Sequence, residues 1–241
     1  MSGGEPFMHP RYIELCHKLT KKHYISINTN LTFNSIDEFI NEVDPERVAF
    51  LHCSLHYQER VKHYNVSSFI KKYHKLKDAG YHIYVTQVFY PPVIPLFHRI
   101  VEEFGKENIV IRPKLFRGLF EKKLYPQQYT AEEKQMFRHY LIMAERHEKI
   151  YETHIDPNLD RDFFMKELSF KGKMCSAGQD FVNVHFNGDI VRCHASTSVM
   201  GNIFKGNLHL LKDTTTCPFT ICPCPYYGLR YTQNEPLSLL T

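Results

Sequence analysis

Apolar positions along this chain switch between two periods, and the switches mark out its elements. Residues 10–19 place Tyr12, Ile13, Cys16 and Leu19 on one helical face behind Pro10. Residues 23–30 read as a short strand with a polar end at Asn28-Thr29-Asn30. A short helix follows over 36–43. Residues 47–55 are almost continuously apolar, as expected for a parallel strand buried on both faces. Residues 66–79 carry an amphipathic helical pattern stopped by Gly80. Residues 81–90 are a second buried strand, halted by Pro91-Pro92. Residues 96–104 make a helix ending at Gly105, and 108–112 a strand closed by Pro113. Strict alternation of helix and strand predicts βα units and a parallel sheet or barrel.

The pattern then changes. Residues 115–129 read as a loop crossing. Thr130-Ala131-Glu132-Glu133 is a capping box opening a helix with Met136, Tyr140, Met143, His147 and Ile150 on one stripe. Asp156-Pro157-Asn158 breaks it, which puts a domain boundary between residues 155 and 156. Beyond it, alternating residues from Phe181 lead into Asn187-Gly188-Asp189 and a second arm up to Cys193. An Asn-Gly turn between alternating runs is a strong hairpin signal. A polar tail follows residue 231.

Composition narrows the chemistry. The chain has 241 residues, 43% of them hydrophobic, enough for a core. Its net charge of +4 is mild, with both signs interspersed and no basic run, so neither a nucleic-acid nor a membrane partner is expected. No apolar run reaches spanning length and no signal peptide is expected, which points to the cytoplasm. The 15 Tyr and 18 Phe suit a roomy pocket. Cys175, Cys193, Cys217, Cys222 and Cys224, five of the seven cysteines, fall in the last 67 residues. Crowded thiols in a reducing compartment favour metal over disulfides. One iron–sulfur cubane needs four of them. Zinc would use the same thiolates, but Cys-only zinc sites usually pair Cys-x2-Cys knuckles, and none occurs here. Cys16 and Cys53 are expected in the core, and His185 and His194 on the surface.

Two motifs carry a resemblance. Gly3-Gly4-Glu5-Pro6 precedes a helix and a strand ending Thr29-Asn30. Cys175, twelve residues, Gly188, four residues and Cys193 are followed by Gly201-Asn202-Ile203. In this order they resemble the radical SAM superfamily with a C-terminal SPASM or twitch domain. The resemblance implies a partial (βα) barrel over residues 1–155 and a small Cys-bearing hairpin domain over 156–241. It implies S-adenosylmethionine with its methionine moiety at Gly3, Gly4, Glu5 and Pro6, and an auxiliary 4Fe–4S cluster on the C-terminal cysteines. It further implies an external electron donor and 5′-deoxyadenosyl radical chemistry on a peptide, sugar or other metabolite. The family binds its catalytic cluster with Cys-x3-Cys-x2-Cys, and this chain has no such motif. It therefore resembles an N-terminally truncated member, expected to be inactive as given. The alternative is a non-catalytic iron–sulfur or zinc module derived from such a protein.

In parallel barrels, functional residues gather at the C-terminal strand ends. That nominates Asn28 and Asn30, then Ser54 and His56, then Gln87. By the resemblance, Ser54 lies near the cofactor's ribose or carboxylate. Many relatives have an Asp two residues after that serine, where this chain has His56. Strand period puts Phe50 and His52 on the face of Ser54 and Cys53 on the other. Arg60 is expected in solvent, with pairing to a carboxylate as the alternative.

Overall fold

Four strands lie side by side in chain order: β1 (Ile25–Thr29), β2 (Val48–Ser54), β3 (Ile83–Phe89) and β4 (Ile111–Leu115), all parallel. The computed structural model describes residues 4–32, 34–147 and 170–220. The chain divides into two units, Met1–Lys149 and Ile150–Thr241. The boundary expected at 155–156 lies outside the described residues.

In the first unit, α1 (Tyr12–Thr20) precedes β1, and α2 (Ile36–Glu42) connects β1 to β2. A three-residue helical turn, α3 (Tyr57–Glu59), runs into a π-helical turn (Arg60–Tyr64) and then α4 (Val66–Asp78) before β3. Asn65 caps α4, its Oδ1 accepting from Ser67 N at 2.9 Å. Gly80, at φ 90°, ends it as the pattern predicts. α5 (Phe97–Gly105) leads to β4. α6 (Ala131–His147) opens on the expected capping box: Glu133 N donates to Thr130 Oγ1, and Thr130 N donates to Glu133 Oε2.

Strand period sorts the sheet into two faces. On one, Thr29, Cys53, Val85 and Ile111 lie in register, all buried. On the other, Asn28, His52 and Tyr84 form one level, Ser54, Thr86 and Arg112 the next, and Val88 and Lys114 the last. The aromatic residues largely serve the core. Phe89 meets Phe97, Phe137 and Tyr129, and Phe69 meets Phe104. The described residues form an open sheet with no closed barrel.

Four sequence expectations are corrected here. The fourth strand runs through Pro113, because β4 is an edge strand and Pro113 needs no ladder N–H on its outer side. The 115–129 loop contains a hairpin, β5 (Gly118–Phe120) with β6 (Lys123–Tyr125). Its turn residues Glu121 and Lys122 both have positive φ, a conformation usually signalled by Asn or Gly. The buried stripe of α6 is Phe137, Tyr140, Leu141 and Ala144. Met136, Met143 and His147 are exposed, and Ile150 lies outside the described residues. Arg60 is 2% exposed instead of solvated, because two backbone carbonyls and an aromatic face receive its guanidinium.

The second unit is built of short antiparallel pieces. β8 (Asn183–Val184) and β9 (Asp189–Val191) form the expected Asn-Gly hairpin. Gly188 takes φ 83° in this turn, a conformation that favours glycine. β10 (Val199–Asn202) and β11 (Asn207–Leu208) extend this sheet. Separately, β7 (Met174–Cys175) pairs with β12 (Thr215–Thr216). No helix among the described residues is long and apolar enough to cross a membrane.

Phe89 is fully buried with ring neighbours from α5 and α6. Phe89→Ala is expected to cost about 3–5 kcal/mol in urea unfolding of the chain. Met143→Ala, on the exposed side of α6, should cost under about 1 kcal/mol.

Candidate functional site

The first candidate site is the C-terminal edge of β1 and β2. Pro6 starts a 3₁₀ turn (Pro6–Met8), and Phe7 anchors it by packing on Tyr12 and Phe39, ring centroids 5.0 and 5.2 Å away. This holds Glu5 over the end of β1. Its Oε1 accepts from Thr29 Oγ1 at 2.8 Å and from Phe7 N at 3.4 Å, and its Oε2 accepts from Asn30 N at 2.5 Å. Glu5 is thus half-buried and held, not an exposed acid. Burial raises its pKa, against the opposing pull of these donors and of Arg60. Gly4, at φ 55°, is exposed, and Gly3 lies outside the described residues.

Arg60 ties this edge together. Its Nε donates to Leu55 O at 2.5 Å and its Nη2 to Asn30 O, so one guanidinium bridges the segments leaving β1 and β2. It also lies 4.3 Å from the centroid of the Phe69 ring. Lys72 Nζ donates to Leu31 O at 3.1 Å. Asn30 turns its Oδ1 to Thr32 N and Thr32 Oγ1, an Asx turn.

The face of Asn28, His52 and Thr86 carries a second set of polar groups. Asn28 Oδ1 accepts from His52 Nδ1 at 2.9 Å. His52 Nε2 therefore accepts from Thr86 Oγ1, at 2.7 Å. The imidazole stacks on Tyr84 at 4.7 Å. Burial, with Lys114, Arg112 and His56 nearby, pushes His52 down to about 3. His56 stands at the end of β2 in a left-handed conformation, φ 49°, and burial lowers its pKa as well. Ser54 is half-buried on this face. Gln87 is on the other face: its Oε1 accepts from Tyr57 N at 2.9 Å and its Nε2 donates to Val88 O. The residue of β3 beside Ser54 is Thr86. A count of one from Gln87 along the strand period would have found it.

The second candidate site is in the cysteine-bearing unit. Thr215 lies opposite Cys175, and Cys217 N donates to Lys173 O at 2.8 Å, so the ladder continues past β7 and β12. Cys175 and Cys217 are then diagonal neighbours on one face of the ladder. Both are buried and both are free thiols. Arg192 clamps the β8–β9 hairpin to this ladder. Its guanidinium donates to Ala177 O at 2.6 Å, to Cys175 O at 3.3 Å, and to Thr215 O and Thr216 O. Cys193, the next residue, is half-buried. Among the described residues, no three His, Cys, Asp or Glu side chains converge on a metal position. Cys222 and Cys224 lie outside the described residues. His185 and His194 are exposed, as expected.

No family model matches the chain, and no curated protein matches it.

The buried neutral imidazole makes a pH prediction. Between about pH 3 and the ordinary histidine value of 6.5, the unfolded chain binds a proton that folded His52 excludes. His52 should therefore remove stability as pH falls through that window, by up to about 1.4 kcal/mol per pH unit. Glu5 works in the opposite sense: with a raised pKa, its contribution is lost as pH rises through that value. Urea midpoints measured from pH 7 to pH 4 should fall less steeply in His52→Gln than in the parent chain.

Proposed function

We propose that this chain handles S-adenosylmethionine at the C-terminal edge of its sheet and holds one auxiliary 4Fe–4S cluster in its cysteine unit, as part of a radical SAM-type enzyme. The cluster ligands would be four of the five thiols Cys175, Cys193, Cys217, Cys222 and Cys224. The observation that carries this is the β7–β12 ladder, with two buried thiols on one face and Arg192 drawing the segment of Cys193 onto the same carbonyls. Two soft, free thiols suit iron or zinc, and a cubane needs two more.

The residues at the sheet edge suit the cofactor's amino group. A carboxylate offers about four acceptor positions, and Glu5 has filled three. The remaining position, on Oε2, accepts an ammonium N–H. Asn28 spends its Oδ1 on His52 and keeps its amide N–H groups for a ligand. Ser54 offers a hydroxyl at the end of β2. Asn30 and Gln87 act at one remove, by shaping the turn after β1 and the start of α3. Bound S-adenosylmethionine supplies a sulfonium whose one-electron cleavage gives the 5′-deoxyadenosyl radical. The chain has no Cys-x3-Cys-x2-Cys, so radical generation is not assigned to this sequence by itself. The substrate class is a peptide, sugar or other metabolite, with an external electron donor, in a reducing, cytoplasmic compartment.

Anaerobic reconstitution with iron and sulfide tests the cluster. The parent chain should take up about four iron per chain and show a broad brown visible band. Cys175→Ala and Cys217→Ala should each lose most of that absorbance, while Cys53→Ala keeps it. A colourless chain holding one zinc would replace this function with that of a non-catalytic metal module. Full absorbance in both ladder variants would remove the ligand assignment.

A further inference from the structure

The buried face of the β7–β12 ladder carries a hydroxyl as well as its two thiols. Thr215 stands directly opposite Cys175, and Cys217 follows it on the same strand path. Opposite residues in a ladder share a face, and so do alternate residues along a strand. Cys175, Thr215 and Cys217 therefore point to one side. Met174 and Thr216, the next pair, point to the other side, and both are exposed. Thr215 Oγ1 is buried and has no hydrogen-bond partner among the described residues. Native proteins rarely leave such a group, because a hydroxyl buried unpaired forfeits its bonds to water. Valine would fill nearly the same volume on this strand without that cost.

The ladder gives the hydroxyl little choice of direction. Arg192 donates to the carbonyls of Cys175 and Thr215, at 3.3 and 3.2 Å, which holds the two residues side by side. A β-branched side chain is restricted at χ1, so Oγ1 keeps its buried position. The side chains beside it on this face are those of Cys175 and Cys217. Cys217 Sγ is spent as a weak donor on Phe219 O, 3.7 Å away. Cys175 is a free thiol. A thiol is a poor acceptor, whereas a thiolate carries the negative charge that attracts an O–H. The orphaned hydroxyl fits the deprotonated, metal-binding form of Cys175 better than the thiol form.

We propose that Thr215 is a positioning residue of the cysteine site, its hydroxyl donating to the sulfur of Cys175 when that sulfur is a metal-bound thiolate. The bond rests on the metal assignment proposed above, and it serves iron or zinc alike. Hydrogen bonds to a ligand atom orient it and strengthen the hold on the metal.

Anaerobic titration of the full chain with cobalt(II), read by the near-ultraviolet sulfur-to-metal charge-transfer band, tests this. Thr215→Val should weaken cobalt binding about tenfold. Thr215→Ser, which keeps the hydroxyl, should stay within about threefold of the parent. Thr216→Val, on the outer side of the same strand, should match the parent. Without metal, Thr215→Val should unfold at a urea midpoint no lower than the parent's, since it removes an unpaired group. Undiminished cobalt binding in Thr215→Val overturns the proposal and leaves the metal assignment standing. A fall in metal-free stability does the same, because it makes Thr215 a packing residue. A parent chain with no charge-transfer band overturns the metal assignment itself, and this bond with it.

Discussion

Parallel strands laid down in chain order constrain everything else in the first unit. Each crossover between neighbouring parallel strands is right-handed, so helices joining β1 to β2, β2 to β3 and β3 to β4 are all delivered to one side. Leu51, Cys53, Val85 and Phe89 face that side and are fully buried. The other side receives no crossover helix, and its residues are accordingly mixed: Asn28, His52, Ser54, Thr86, Arg112 and Lys114. A two-sided apolar sheet would have left no surface for polar chemistry. The same constraint puts all four C-terminal strand ends on one edge, where loops can bring groups together without disturbing the core.

Burying a cation at that edge demands compensation. Arg60 is almost fully out of water, which by itself is costly. Three features offset the cost: the carbonyls of Asn30 and Leu55, the face of Phe69, and the half-buried carboxylate of Glu5. The carbonyls belong to the segments leaving β1 and β2, so satisfying the cation also fixes the loops that shape the edge. The π-helical turn begins at Arg60 itself. Such turns are rare and often mark functional positions, and this one sets where the guanidinium enters. Charge burial and site geometry are therefore one problem with one solution here.

How much of this was legible follows from which signals are local. Alternation of period 2 and period 3.6 is local, and it placed the strands, the helices and the Asn187-Gly188 hairpin. The capping box at Thr130 is local and was readable. Pro113 misled because its tolerance depends on β4 lying at the sheet edge, a tertiary fact. Glu121 and Lys122 misled because the left-handed turn they adopt is set by the strands on either side, not by their own preference. The stripe of α6 slipped by one position because Met136 and Phe137 are both apolar, and only the ring of Phe89 chooses between them. Arg60 reads as a surface residue in any local window, since its partners are 5 and 30 residues away. Face assignment at β2 was readable by parity, whereas Thr86 and Lys114 join His52 only through the register of neighbouring strands.

The second unit raises a question of cohesion that bears on its chemistry. Its buried apolar residues, among those described, are Phe170, Ala177, Ile190 and Val191, together with the two ladder cysteines. Phe186, Ile203 and Phe204 stay exposed. Arg192 contributes a cross-link of hydrogen bonds to four carbonyls, which organises the ladder without adding apolar burial. The close approach of Gly201 to Asn207 O tightens β10 against β11 in the same way. Among the described residues, backbone pairing and this hydrogen-bonded clamp hold the unit's pieces together, and they bring two buried thiols onto one face of the ladder.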